Sequence, residues 1–156
     1  MIDSSAQSWW RNQFYDFSTE SVTASATTIQ HAMNRTYLRT SRNADLVDFI
    51  VGGETYFNYY EESLQANQRF TKADVGEGGF VSYKYKGADV FYDPNCSSTR
   101  MYFINSNFLH YRPHSDRNFT TDDRKAAVNQ DAVVVPLYWA GNLTSSNRSL
   151  QGVLCA

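Results

Sequence analysis

The stretch His110-Tyr111-Arg112-Pro113-His114-Ser115-Asp116 holds the side chains best suited to chemistry. Drawn out as a strand, His110, Arg112, His114 and Asp116 share one face. Two imidazoles and a carboxylate can bind Zn²⁺, which would make a small metal hydrolase. Against that, Arg112 stands between the histidines, and a cation disfavours a metal beside it. Pro113 also interrupts a strand. A loop of hydrogen-bonded and ion-paired side chains accounts for the same residues without a metal. No G-x-S-x-G nucleophile motif occurs, and neither Cys96 nor Cys155 stands in a catalytic context. Gly76-Glu77-Gly78-Gly79 lacks the Lys-Ser/Thr ending of a phosphate loop and puts an acid where phosphate would lie. Glu61-Glu62 and Asp122-Asp123 are adjacent acid pairs with no partner at a telling spacing. Tyr83-Lys84-Tyr85-Lys86 alternates aromatic and basic residues, as a stacking platform for single strands does. We therefore expect no enzyme, no cofactor and no metal site.

Composition points the same way. The 156 residues fit one domain, or one domain with an arm, and can bury a core without metal or disulfide staples. The formal charge is −2, so the net field that a general nucleic-acid binder uses is missing. Polarity comes from 16 Ser, 12 Thr and 12 Asn rather than from charge. Aromatics reach 15%, which argues against disorder and for surfaces that contact a partner. No apolar run approaches a membrane span, and Met1–Ser5 reads as no export signal, so no membrane is expected and the two cysteines read as free thiols. The N-x-S/T sites at Asn34, Asn95, Asn118, Asn142 and Asn147 read as chance in so Asn- and Ser-rich a chain.

The elements that would position these residues read as α+β. Residues 1–24 form an aromatic arm with Trp9, Trp10, Phe14, Tyr15 and Phe17 at a spacing that suits neither helix nor strand. It either folds back on its own domain or meets a neighbouring chain. A helix is predicted over 25–42, capped by Ser25, with Ile29, Ala32, Met33, Thr36, Tyr37 and Thr40 as its buried stripe. Arg35, Arg39 and Arg42 run beside that stripe, as a solvated face or an inter-subunit ion-pair row. Leu46–Val51 is predicted as a buried strand ending at Gly52-Gly53, followed by a second helix over Glu54–Arg69 with Phe57, Tyr60, Leu64 and Phe70 on one side. Ala73–Gly79 reads as a loop. Phe80–Tyr85 and Ala88–Tyr92 read as a hairpin about Lys86-Gly87. Met101–Ile104 and Phe108–Tyr111 flank a second reversal, and 112–123 reads as a polar loop. Ala132–Trp139 is the strongest strand signal, with Gly141-Asn142 as a turn and Leu143–Leu154 as its returning partner.

Several runs resemble a known family. They are Gly87-Ala88-Asp89-Val90-Phe91-Tyr92-Asp93, Met101-Tyr102-Phe103-Ile104-Asn105 and Arg112-Pro113-His114-Ser115-Asp116-Arg117-Asn118-Phe119. The closing runs Val128-Asn129-Gln130-Asp131-Ala132, Trp139-Ala140-Gly141-Asn142-Leu143-Thr144 and Ser149-Leu150-Gln151-Gly152-Val153-Leu154 continue the pattern. Upstream, Trp9-Trp10-Arg11-Asn12-Gln13, Thr28-Ile29-Gln30 and Glu62-Ser63-Leu64-Gln65-Ala66 also fit. Together they resemble the C-terminal portion of tailed-bacteriophage major capsid proteins of the Hong Kong 97 type.

That resemblance implies a partial Hong Kong 97 type fold, a spine helix plus a second helix with antiparallel-rich sheets. It makes 25–45 the spine helix of a peripheral domain, 46–127 mostly an axial domain, and 128–156 C-terminal strands returning to the peripheral domain. The family's N-terminal arm and extended loop would lie ahead of Trp9. The implied function is structural, without catalysis. Copies would associate as pentamers and hexamers in an icosahedral shell around double-stranded DNA, with other head proteins as further partners. The place would be the virion capsid, and the host cell cytoplasm before assembly. In such a subunit, residue type and placement mark Trp9, Trp10, Arg11, Arg35, Arg39, Arg42, Arg112, His114, Asp116 and Arg117 as inter-subunit contacts. The alternative is a non-catalytic binding module with an aromatic surface for carbohydrate or single-stranded nucleic acid.

Overall fold

A computed structural model describes residues 6–66, 74–75, 81–126 and 131–156. The chain divides into two compact units. One comprises Met1–Phe108 with Asn147–Ala156, and the other is Leu109–Ser146. The expected boundaries after residues 24, 45 and 127 do not coincide with this division.

In the first unit the chain opens with a 3-10 turn, Ser8–Trp10, then strand β1, Gln13–Asp16. The expected irregular arm is thus partly a strand. Its Tyr15 and Phe17 are buried, because β1 finds a parallel partner near the far end of the chain. The Asp16 carboxylate then turns the backbone, accepting the Ser18 N–H at 2.9 Å and the Thr19 hydroxyl at 2.6 Å. The Ser18 hydroxyl also donates to it at 2.5 Å, and that bond first, then the Thr19 hydroxyl, holds its pKa below the usual carboxylate value.

Helix α1 spans Ile29–Thr40 rather than 25–42. Residues 25–28 form the turn before it, in which the Ser25 carbonyl accepts the N–H groups of Thr28 and Ile29. Its buried residues are the predicted stripe, Ile29, Ala32, Met33, Thr36, Tyr37 and Thr40. Two of these are polar, yet satisfied within the helix. The Thr36 hydroxyl donates to the Ala32 carbonyl at 2.9 Å, and the Thr40 hydroxyl to the Thr36 carbonyl at 3.0 Å.

Strand β2, Phe49–Gly52, starts later than predicted. Helix α2, Glu54–Ala66, follows at once. Tyr56, Tyr60 and Ser63 are its buried positions, while Phe57 and Leu64 are half-buried. Phe70 lies outside the described residues. Within the expected loop, β3, Asp74–Val75, pairs with β4, Val81–Tyr85. The predicted hairpin of β4 with β5, Ala88–Tyr92, is present. Lys86 at φ 50° and Gly87 at φ 94° make its two-residue turn. Strand β6, Arg100–Ile104, leads to a 3-10 turn, Ser106–Phe108. After the second unit, the 3-10 turn Arg148–Leu150 leads into the final strand of the first unit, Gly152–Cys155.

In the second unit the expected polar loop 112–123 is instead part of a long strand, β7, Leu109–Thr121. Short strands β8, Lys125–Ala126, and β9, Val133–Val134, pair with each other. The antiparallel partner of β7 is strand β10, Leu137–Ser145, not β6 as expected. The expected strand 132–139 is therefore divided at Pro136, whose carbonyl accepts the Asp122 N–H. The expected turn at Gly141-Asn142 lies inside β10, at a register irregularity. Every strand of a two-stranded ribbon has an open edge, so Pro113 is tolerated in β7. The last strand, Gly152–Cys155, is β11. It pairs with β6 and β1, not with 132–139 as expected.

The first unit's sheet has the order β1-β11-β6-β2-β5-β4-β3. The β1/β11 and β2/β5 pairs are parallel, and the other four are antiparallel. The fold class is α+β. Both helices pack on this sheet, α1 over β1 and β11, α2 over β5 and β6, and they touch each other. Gly152 permits the approach of α1. A Cβ there would lie 2.6 Å from the Thr40 methyl and 2.9 Å from that of Thr36. The Gln151 side chain clasps Asn105, accepting its N–H at 3.1 Å and donating to its carbonyl at 2.9 Å.

The core is rich in tyrosine. Tyr37, Tyr60, Tyr83 and Tyr85 meet edge to face, and Phe17 bridges Tyr15 to Tyr56. Burial pushes the hydroxyls of Tyr56, Tyr60 and Tyr85 up to about 12. Unfolded tyrosines ionise near 10, so between 10 and 12 the unfolded chain holds fewer protons than the folded one. Stability is full below pH 10 and falls as pH rises through 12. Each such tyrosine costs at most about 1.4 kcal/mol per pH unit across that window, and the half-buried, partly screened Tyr85 less. Urea unfolding followed by circular dichroism is expected to show a much lower midpoint near pH 11 than near pH 9. An unchanged midpoint would contradict the buried placement of these hydroxyls.

Candidate inter-subunit surfaces

The N-terminal and helical candidates gather at the β1 edge of the first unit. The 3-10 turn places the Trp9 and Trp10 rings edge to face, 6.1 Å apart. Trp9 is 60% exposed, and its indole N–H donates to the Gln7 side chain at 2.8 Å. Trp10 is half-buried and Arg11 exposed. On α1, Arg35 lies over the Tyr15 ring and pairs with Glu20 at 2.7 Å. The Arg39 guanidinium donates to the Phe14 carbonyl on β1 at 3.2 Å. Arg42 follows the helix, exposed, at a single backbone bridge to Asp45. Arg35 and Arg39 thus secure the arm within their own chain. Because Trp9 is so exposed, Trp9→Ala is expected to change folding stability by no more than about 0.5 kcal/mol. Trp9→Ala with Trp10→Ala is expected to weaken association more than folding. Parallel thermal melts and light scattering check this, and equal losses in both would contradict it.

The remaining candidates lie on β7, all exposed. The ladder pairs Pro113 with Gly141 and next Asn118 with Trp139, so His114–Arg117 loop out between them. The Asp116 N–H donates to His114 Nδ1 at 3.2 Å, and Arg117 sits over the Tyr138 ring. Arg112 stands opposite Asn142. His110 faces elsewhere, with its Nε2 3.3 Å from the Ser146 hydroxyl. The bulge therefore separates His110 from His114. Among the described residues no three His, Cys, Asp or Glu side chains converge on a metal position. Cys96 and Cys155 are free and half-buried, and burial raises both thiol pKa values.

Charge and motif reasoning missed the ribbon's apolar surface. Among the described residues of Leu109–Ser146 none is buried. Tyr111, Phe119, Val133, Val134, Leu137, Trp139 and Leu143 are all exposed. The Tyr111 and Trp139 rings stack 6.1 Å apart, and the indole N–H donates to the Tyr111 hydroxyl at 2.6 Å. Phe119, at φ 54°, places its ring 6.5 Å from Trp139. Gly141 leaves room for the indole, because a Cβ there would lie 2.6 Å from it. The Tyr111–Trp139–Phe119 cluster is an exposed aromatic patch of the kind that marks a contact surface. The 15% aromatic content was the one signal pointing here.

No protein-family model matches the chain, and no curated protein matches it. Solved structures do. The capsid asymmetric unit of cyanophage A-1(L) aligns over 99% of the chain with TM-score 0.62 and 18% identity. An encapsulin complex from Synechococcus elongatus aligns over 92% with TM-score 0.59 and 9% identity. The chain has the Hong Kong 97 type capsid fold. A virus-like particle from Pyrococcus furiosus shares this capsid fold over 92% of the chain, with TM-score 0.53 and 11% identity. The chain spans about half the length of these proteins, 52%, 52% and 54% respectively. Among the described residues, no helix of this capsid fold is long and apolar enough to cross a membrane.

Proposed function

We propose that the chain is a structural subunit, or the C-terminal portion of one, of a phage or prophage major capsid protein. Copies self-associate into an icosahedral head shell around double-stranded DNA, without catalysis or cofactor. The shell is the virion capsid, assembled in the host cytoplasm. The observation that carries this reading is the capsid fold shared with solved shell proteins over 92–99% of the chain. The exposed apolar side chains of the ribbon support it, because such groups mark surfaces that bind a partner. Light scattering after size exclusion, across a concentration series, tests the reading. Pentamers, hexamers or closed particles are expected, with nuclease-resistant DNA inside the closed ones. A monomer at every concentration would overturn it.

The stacked Tyr111–Trp139 pair favours one second reading, a platform for carbohydrate or single-stranded nucleic acid. Saturable binding of an oligosaccharide or oligonucleotide by the monomer would support it. Loss of that binding in Trp139→Ala would place it on this pair.

A further inference from the structure

The two helices of the first unit carry opposite charge. Helix α1 has Arg35 and Arg39 and no acid, while α2 has Glu54, Glu61 and Glu62 and no base. They pack side by side on the same sheet and touch each other, α1 mainly over β1 and β11, α2 over β5, and both over β6. The α1 face is therefore basic and the α2 face acidic.

Beside each helix the described residues leave one apolar feature open. On α1, Leu38 is 63% exposed, three residues from Arg35 and four from Arg42. Beside α2 lies a cavity of about 270 Å³, lined by Glu54, Phe57, Asn58, Glu61 and Tyr92. Its floor is aromatic, since Phe57 packs between Tyr83 and Tyr92 at 5.9 and 6.0 Å. Glu61 is held at its rim by the Tyr83 hydroxyl at 2.7 Å.

We propose that the α1 face of one copy docks onto the α2 face of a second copy, with Leu38 entering the aromatic cavity and Arg39 and Arg42 facing Glu54 and Glu61. The occupant is a second copy because the complementary patch is on the same chain. An isologous dimer through either face would set like charge against like. Joining unlike faces is head-to-tail, the arrangement that closes into rings. The apolar anchor supplies affinity, and the surrounding charges select the orientation. The contact rests on the shell reading above and names the residues that join neighbours in a ring.

Cross-linking tests it in the full chain with Cys96→Ser and Cys155→Ser as background. Ala44→Cys, beside Arg42, and Asn58→Cys, at the cavity, keep the anchor and its aromatic floor; these variants are purified separately, shown folded by circular dichroism, and mixed with a short bis-maleimide. Covalent dimers are expected in the mixture at about tenfold or more over either variant alone. Arg39→Glu is expected to lower that yield about tenfold, and adding the swap Glu54→Arg to the same chains is expected to restore it. Equal yields in the mixture and the separate variants would overturn the contact. Closed particles without the 44–58 link would also overturn it, and would leave the shell reading standing. The link without particles would support the contact and count against the shell.

Discussion

Replacing Phe119, Leu137 and Leu143 together by serine is expected to abolish particle formation while the first unit still folds. All three are exposed on the ribbon, and among the described residues the buried core lies in the seven-stranded unit. Removing exposed apolar groups changes folding by about 0.5 kcal/mol or less per site. In an assembled shell the same side chains would be covered. Burying each contributes at least about 1.5 kcal/mol. Losing three is worth about a thousandfold in association, at 1.4 kcal/mol per tenfold. Light scattering reads the association and circular dichroism melts read the fold. Particles of unchanged size and midpoint would show that the ribbon's apolar surface is not a contact. A collapsed melt would show that it packs within the monomer.

The largest effect on folding is expected from Gly53→Ala. A Cβ at Gly53 would lie 2.0 Å from the Ser97 carbonyl oxygen and 2.6 Å from its carbon. These are backbone atoms, tied in place by three bonds. Gly53 N–H donates to the Arg100 carbonyl at 2.9 Å, Thr55 N–H to Ser98 at 3.1 Å, and Arg100 N–H to Ser97 at 3.0 Å. The segment 97–100 therefore cannot yield without releasing the start of α2 and the end of β2. A loss of about 3–5 kcal/mol is expected, a large share of the roughly 5–15 kcal/mol that holds such a domain together. The adjacent Gly52→Ala is the control. Its Cβ would meet the flexible tip of Met101 at 3.1 Å, so a loss below about 1.5 kcal/mol is expected. Urea unfolding of the two variants side by side decides this. Similar midpoints for both would refute the close approach at Gly53.

The contrast between these glycines marks where sequence pattern stops being informative. Gly52-Gly53 reads as a turn signal from sequence alone. Which of the two is indispensable depends on a segment more than 40 residues further on, and no local pattern encodes that. The arm shows the same limit. Gln13–Asp16 has too little alternation to be read as a strand, yet it pairs with Gly152–Cys155. Its partner decides its conformation, as strand propensity generally depends on context. Arg35 and Arg39 were legible as a row beside the buried stripe. That they hold Glu20 and the Phe14 carbonyl was not.

The ribbon is the instructive failure. A period-2 pattern appears when one face of a strand is buried and the other is wet. In β7 both faces are exposed, so its residues carry no such pattern and read as a polar loop. The bulge at His114–Arg117 then separates side chains that a regular strand would have aligned. The metal geometry imagined for His110, His114 and Asp116 depended on that regularity.

Local chemistry was enough wherever partners are near in the chain. The α1 stripe follows from helical periodicity, because six apolar or small side chains at that spacing can be buried only as a helix face. The β4–β5 hairpin follows from Lys86-Gly87, since a two-residue turn needs positive φ and glycine adopts it freely. The capsid resemblance, too, was carried by short runs of residues. Tertiary structure alone decided the seven-strand order, the entry of β11 between β1 and β6, and the packing of a basic and an acidic helix side by side on one sheet. Those features depend on pairings between residues far apart in sequence, whose energies are set by which surfaces meet and not by the pattern of either surface alone.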